Sequence, residues 1–105
     1  MTAQVAADLR AAADVLRRDG WTQELFINQV SGCPCVAGAL LDVAGYRWHN
    51  AIERLGAHLG IGTSPLAVYR WNDTTGRTAD EVIAALEAAA DAADRMSPEP
   101  GMSQP

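Results

Sequence analysis

The stretch TADEVIAALEAAADAADRM at residues 78–96 constrains the fold more than any other part of the chain. Thr78 and Glu81 have the spacing of a capping box: the Thr78 hydroxyl can accept from the Glu81 N–H, and the Glu81 carboxylate from the Thr78 N–H. Behind this start, Val82, Ile83, Leu86, Ala90 and Ala93 recur at helical spacing and make one apolar face. Asp80 and Glu81 suit the positive end of the helix dipole, and Arg95 the negative end. A buried face made mostly of alanine brings little area per residue. The few large side chains must therefore supply most of the burial energy, at about 25 cal/mol per Å2. The spacing predicts a compact, mainly all-α fold of four to five helices.

The rest of the chain fits that plan. Residues 2–19 read as an amphipathic helix, with Val5, Leu9, Ala12, Ala13 and Leu16 on one face and Asp8, Arg10, Asp14 and Arg17 on the others. Thr2 can cap its start, and Gly20 is placed to end it. Pro34 suits the first turn of a second helix at 34–44, which is apolar on several faces, with Gly45 as its stop. Trp48, Ile52, Leu55 and Leu59 form the stripe of a third helix at 47–59. Ser64 and Pro65 can start a short helix at 65–71, although Val68, Tyr69 and Trp71 also suit a strand. Residues 22–32 have no clear period, so a loop or a short β-hairpin near 22–34 is expected. The first 96 residues read as one domain. Residues 97–105, rich in proline, read as a disordered tail.

Charge and composition exclude several functions. The net charge is −5, with eight arginines and no lysine. No basic stripe is present to displace counterions, so nucleic acid is not an expected partner. No run is apolar and long enough to span a bilayer, and the N-terminus has no signal-peptide pattern, so a cytoplasmic protein without a membrane partner is expected.

Two groups of residues could carry chemistry. Cys33 and Cys35 have a C-x-C spacing that can bind metal, but zinc needs about four ligands. His49 and His58 lie nine residues apart on one predicted helix, about 900° round it and so on opposite faces. Cys33 and Cys35 are therefore weak metal candidates, and no cofactor is expected. The plainer reading makes Cys35 a buried thiol at a helix start, where the dipole would favour its thiolate. The second group is WNDTTGR at 71–77. Asn72 and Asp73 have turn chemistry, and an Asp73–Arg77 pair could hold the turn closed. The same residues could form a polar site, with Trp71 as a wall and Asn72, Asp73 and Arg77 as donors and acceptors. No glycine-rich phosphate loop, G-x-S-x-G elbow or H-E-x-x-H is present.

LRRDGWTQ at 16–23, CVAGALLDVAG at 35–45 and RWNDTTGRTADEVIAALEAAA at 70–90 resemble a family of small uncharacterised proteins from actinobacteria and their phages. The resemblance covers about residues 5–93. It marks Trp21, Cys35, Gly38, Ala39, Trp71, Asn72, Asp73, Arg77 and Thr78 as family positions, and Cys33 is not among them. It implies a source but no activity.

Three functions are left open. The first is a small acidic module that binds a protein partner, encoded by a phage and modulating a host protein, with Trp71, Asn72, Asp73 and Arg77 at its contact surface. The second is a small enzyme or a metal- or ligand-binding protein using Cys35 with the Asn72-Asp73-Arg77 turn, which requires the second helix start and that turn to meet. The third is a structural or virion component, which an exposed apolar stripe on the first or last helix would favour; a homo-oligomer fits that reading.

Overall fold

The computed structural model describes residues 2–23 and 34–96, with the side chains of Thr2 and Met96 left out. Cys33, most of the expected hairpin and the 97–105 tail lie outside the described residues. Those described form an all-α fold: α1 (Thr2–Asp19), α2 (Val36–Ala44), a 3-10 turn (Gly45–Arg47), α3 (Trp48–Leu59), α4 (Pro65–Asn72) and α5 (Ala79–Met96).

α1 and α5 form the most extensive contact in the fold. Their ion pairs show that they run antiparallel. Arg10 meets Asp91 and Asp94, both at 2.8 Å, and Arg17 meets Glu87 one to two turns earlier in α5. Between these exposed rims lie Leu9, Ala12, Ala13 and Leu16 of α1, and Val82, Leu86, Ala89, Ala90 and Ala93 of α5, all buried. The alanines let the helices approach, and Leu9, Leu16 and Leu86 supply the bulk. α2 packs on α1, and α3 packs on α1, α2, α4 and α5. The core thus runs through the centre of all five helices, with Val36, Leu40, Ile52, Leu55 and Val68 completing it.

The expected helix starts have local causes. Thr78 donates its N–H to Glu81 Oε1 at 2.8 Å, and Glu81 N–H donates to Thr78 Oγ1 at 3.2 Å, closing the capping box. Ser64 Oγ accepts from Leu66 N–H at 3.2 Å, with Pro65 next to it, so 65–72 is a helix and the strand alternative falls. Gly20 ends α1 with φ at +89°, and its N–H donates to the Leu16 carbonyl at 2.9 Å.

Three details differ from the spacing argument. α2 starts at Val36 rather than Pro34, because Cys35 is extended (φ −83°, ψ −179°) and acts as the cap. Its Sγ accepts from Gly38 N–H at 3.3 Å. α3 is preceded by a 3-10 turn, so residue 47 belongs to that turn. Asp8, assigned to a polar face of α1, is only 4% exposed. The Arg47 guanidinium grips it with two bonds, Nε to Oδ2 at 3.2 Å and a terminal nitrogen to Oδ1 at 3.1 Å, and Gln4 Nε2 adds a third at 2.9 Å. A buried carboxylate so paired is satisfied, and it ties α1 to the turn between α2 and α3.

Candidate functional site

The end of α1, the start of α2 and the end of α4 meet at one point. Its centre is the side chain of Asn72, the last residue of α4, which is 1% exposed. Its Oδ1 accepts from Trp21 Nε1–H at 2.7 Å and from Val36 N–H at 3.1 Å. Its Nδ2 donates to the Thr22 carbonyl at 3.2 Å and to Asp73 Oδ1 at 3.0 Å. A primary amide has two acceptor positions and two donors, and all four are used. The Asn72 carbonyl is also taken, by Gln23 Nε2 at 3.1 Å, which donates again to the Thr74 carbonyl at 3.0 Å. Thr22 N–H donates to the Pro34 carbonyl at 3.0 Å, so the two ends flanking residues 24–33 are drawn together here.

Asn72 is therefore an internal tie whose amide is fully used within the fold. One of the first backbone N–H groups of a helix has no partner within that helix, and Asn72 supplies one for Val36. The Trp21 indole buries its ring at the end of α1 and gives its N–H to the same oxygen, as its place at an element end predicts. Gln23 belongs to the same knot, and no spacing in the sequence marks it. Its only sign was its position two residues after Gly20-Trp21, which does not reveal carbonyls some fifty residues away.

In the rest of the 71–77 turn, residues 73–76 face outward while Trp71 and Arg77 are half-buried. Arg77 does not close the turn on Asp73; among the described residues no ion pair joins them. Instead Arg77 Nε–H donates to the Trp71 carbonyl at 3.0 Å, and the guanidinium carbon lies 4.3 Å above the centre of the Trp71 ring. This is a cation–π stack on a half-buried indole. The backbone beneath is set by Arg77 N–H donating to the Thr74 carbonyl at 3.0 Å, with Gly76 at φ +86°. Thr74 Oγ1 donates back to the Arg70 carbonyl at 3.0 Å. Asp73, Thr74, Thr75 and Gly76 are exposed. Asp73 accepts from Asn72 and is not free.

Cys35 is adjacent to this knot, because the N–H after it is the one that Asn72 caps. The helix-2 start and the 71–77 turn thus meet. The Cys35 thiol is itself buried. Burial pushes its pKa up from the ordinary value, outweighing the N–H groups of Gly38 and Ala37 that favour the thiolate, and the Asp73 charge adds to the rise. Tyr69, also raised by burial, is within electrostatic reach of the same thiol. What the helix start contributes toward the thiolate is the bonding of the Gly38 and Ala37 N–H groups, and desolvation outweighs it.

Elsewhere, Trp48 sits half-buried at the head of the α3 stripe, its ring 4.4 Å from that of His49. His49 and His58 are both exposed. Among the described residues no group of three or more His, Cys, Asp or Glu is placed to hold a metal ion. No described helix is long and apolar enough to cross a membrane.

Neither the curated proteins nor the solved structures contain a match to this chain. A family model does match, over residues 1–92, from the start of α1 to within α5 and across the whole Asn72 knot: the chain belongs to DUF6197, a family of unknown function.

Proposed function

We propose that this protein is a small, non-enzymatic interaction module that binds a protein partner through the Trp71–Arg77 face of the 71–77 turn. The observation that carries the reading is the stacked pair itself. Tryptophan and arginine dominate binding energy at protein interfaces, and they do so best where they are ordered before the partner arrives. Here the turn is anchored from below by Asn72 and Gln23, and Arg77 is held over Trp71 by a stack and a hydrogen bond. The remaining reading belongs to the same proposal: a cytoplasmic protein of an actinobacterium or its phage, acting on a host protein.

The enzyme reading has one point in its favour, the meeting of Cys35 with the turn. Against it stand the raised thiol pKa and the commitment of Asn72 to the interior. The structural-component reading lacks the feature that would favour it. Among the described residues the exposed large hydrophobics are Leu41, Tyr46 and Leu66, none of them on α1 or α5.

The test is affinity capture by the tagged full chain from an actinobacterial lysate, beside a folded Trp71→Ala/Arg77→Ala double variant. One stoichiometric protein captured by the first and lost by the second is the expected result. Equal capture by both would remove the turn from the interface, and no capture would remove the module reading.

A further inference from the structure

Arg77 stands apart from the other arginines whose contacts are defined. Arg10, Arg17, Arg18 and Arg47 each have a carboxylate of this chain on their guanidinium. Arg77 has none among the described residues. Its guanidinium is fixed from two sides, by Nε–H on the Trp71 carbonyl at 3.0 Å and by the ring 4.3 Å away. A guanidinium offers two edges to a bidentate acceptor, one built from Nε and a terminal nitrogen and one from the two terminal nitrogens. The bond to Trp71 uses Nε, so the first edge is spent. The second keeps its parallel N–H donors in a half-buried side chain whose rotamers are already restricted.

Resting on the interaction-module reading, we infer that the two terminal nitrogens of Arg77 form a preformed fork for a carboxylate presented by the protein partner. The planar fork matches a carboxylate in a bidentate pair. A phosphate has the same oxygen spacing, and its second charge strengthens the attraction to Arg77 in the same proportion as the repulsion from Asp73 and Asp80, both exposed nearby, so charge does not choose between the two. The choice follows from the module reading: any aspartate, glutamate or C-terminus of a protein partner presents a carboxylate, whereas a phosphate requires a modified partner. The stack also serves this role: a guanidinium covered on one face by an indole is less hydrated, so a pair formed at its edge is screened less.

The test uses the 15N-labelled full chain and follows the Arg77 Nε–H and Trp71 Nε1–H resonances. Sodium acetate is the probe, titrated at constant ionic strength against chloride, with inorganic phosphate as a second series. A saturable shift with acetate is expected. In Arg77→Lys, which keeps the charge but not the fork, the apparent affinity should fall by about tenfold or more. The amide spectrum of that variant reports whether the fold is intact, and Trp71→Phe, which retains an aromatic face, should keep most of the response. An unchanged response in Arg77→Lys overturns the fork, as does the lack of a saturable shift, and a response to phosphate alone overturns the carboxylate. Failure here is distinct from failure of the module reading: a protein captured equally by wild type and Arg77→Lys, yet lost by the double alanine variant, would leave the module and remove the carboxylate.

Discussion

The α1–α5 face and the Asn72 knot hold the same small protein together in opposite ways. The first is an extended apolar contact, built from many alanines and three leucines and flanked by exposed ion pairs. Each atom adds little, and no single one is indispensable. The second is a handful of polar atoms from residues 21–23, 36 and 72–74, buried at Asn72 and partly exposed around it, each with a partner. There the energy lies less in making the bonds than in the cost of leaving one unmade. The face should therefore degrade gradually under mutation, and the knot abruptly.

The largest effect should come from the knot. Asn72→Leu leaves the Trp21 indole N–H, the Val36 N–H and the Thr22 carbonyl without their partner. Each such group costs about 1–3 kcal/mol, so a loss of about 4 kcal/mol is expected in urea unfolding. A loss below about 1 kcal/mol would mean that water replaces the amide, and the contrast between the two regions would fail.

The face comes next. Ala90 is fully buried in α5. Ala90→Leu forces extra volume into a close helix approach and should cost about 2 kcal/mol, read from the same unfolding curves. A neutral result would show that the face is looser than its alanines imply.

A smaller, pH-dependent effect separates the two regions further. The Cys35 pKa is raised in the folded state, so the folded protein holds its proton where the unfolded chain has lost it. That contribution is fully present below the unfolded thiol pKa of about 8.5, and it is lost as pH rises from there through the folded value. Cys35→Ser keeps a capping oxygen and removes the titration. Its stability should fall less steeply above about pH 8.5 than that of the wild type; parallel curves would show that the thiol is not desolvated.

The smallest effect lies on the rim of the face. Arg10 is exposed, and so are Asp91 and Asp94. Exposed pairs are screened and contribute little. Arg10→Ala should be indistinguishable from wild type in thermal unfolding, and a clear drop would mean that the rim acts as a network.

These regions also differ in how readable they are. The bounds of α1 and the face of α5 follow from spacing, because a helix repeats every 3.6 residues and its apolar side must go inward. The capping box at Thr78 and Glu81 and the cap at Ser64 are equally legible, since their partners lie two or three residues away. At the 71–77 turn, spacing correctly marked residues able to build a turn but not which way each one points. Asn72 went inward, Arg77 lay on Trp71 instead of on Asp73, and Gln23 joined from another segment. Asp8 shows the same limit. A charge on an amphipathic helix reads as solvent-facing until Arg47, thirty-nine residues on, is found against it.

What the sequence by itself determined about this protein is its helices, most of their caps and the apolar face of each, because those depend on neighbours within a turn or two along the chain. What only the tertiary structure decided is where four polar side chains, Asp8, Gln23, Asn72 and Arg77, find their partners. A hydrogen bond requires about 3 Å and a direction, and residues far apart in sequence acquire both only once the core between them has packed.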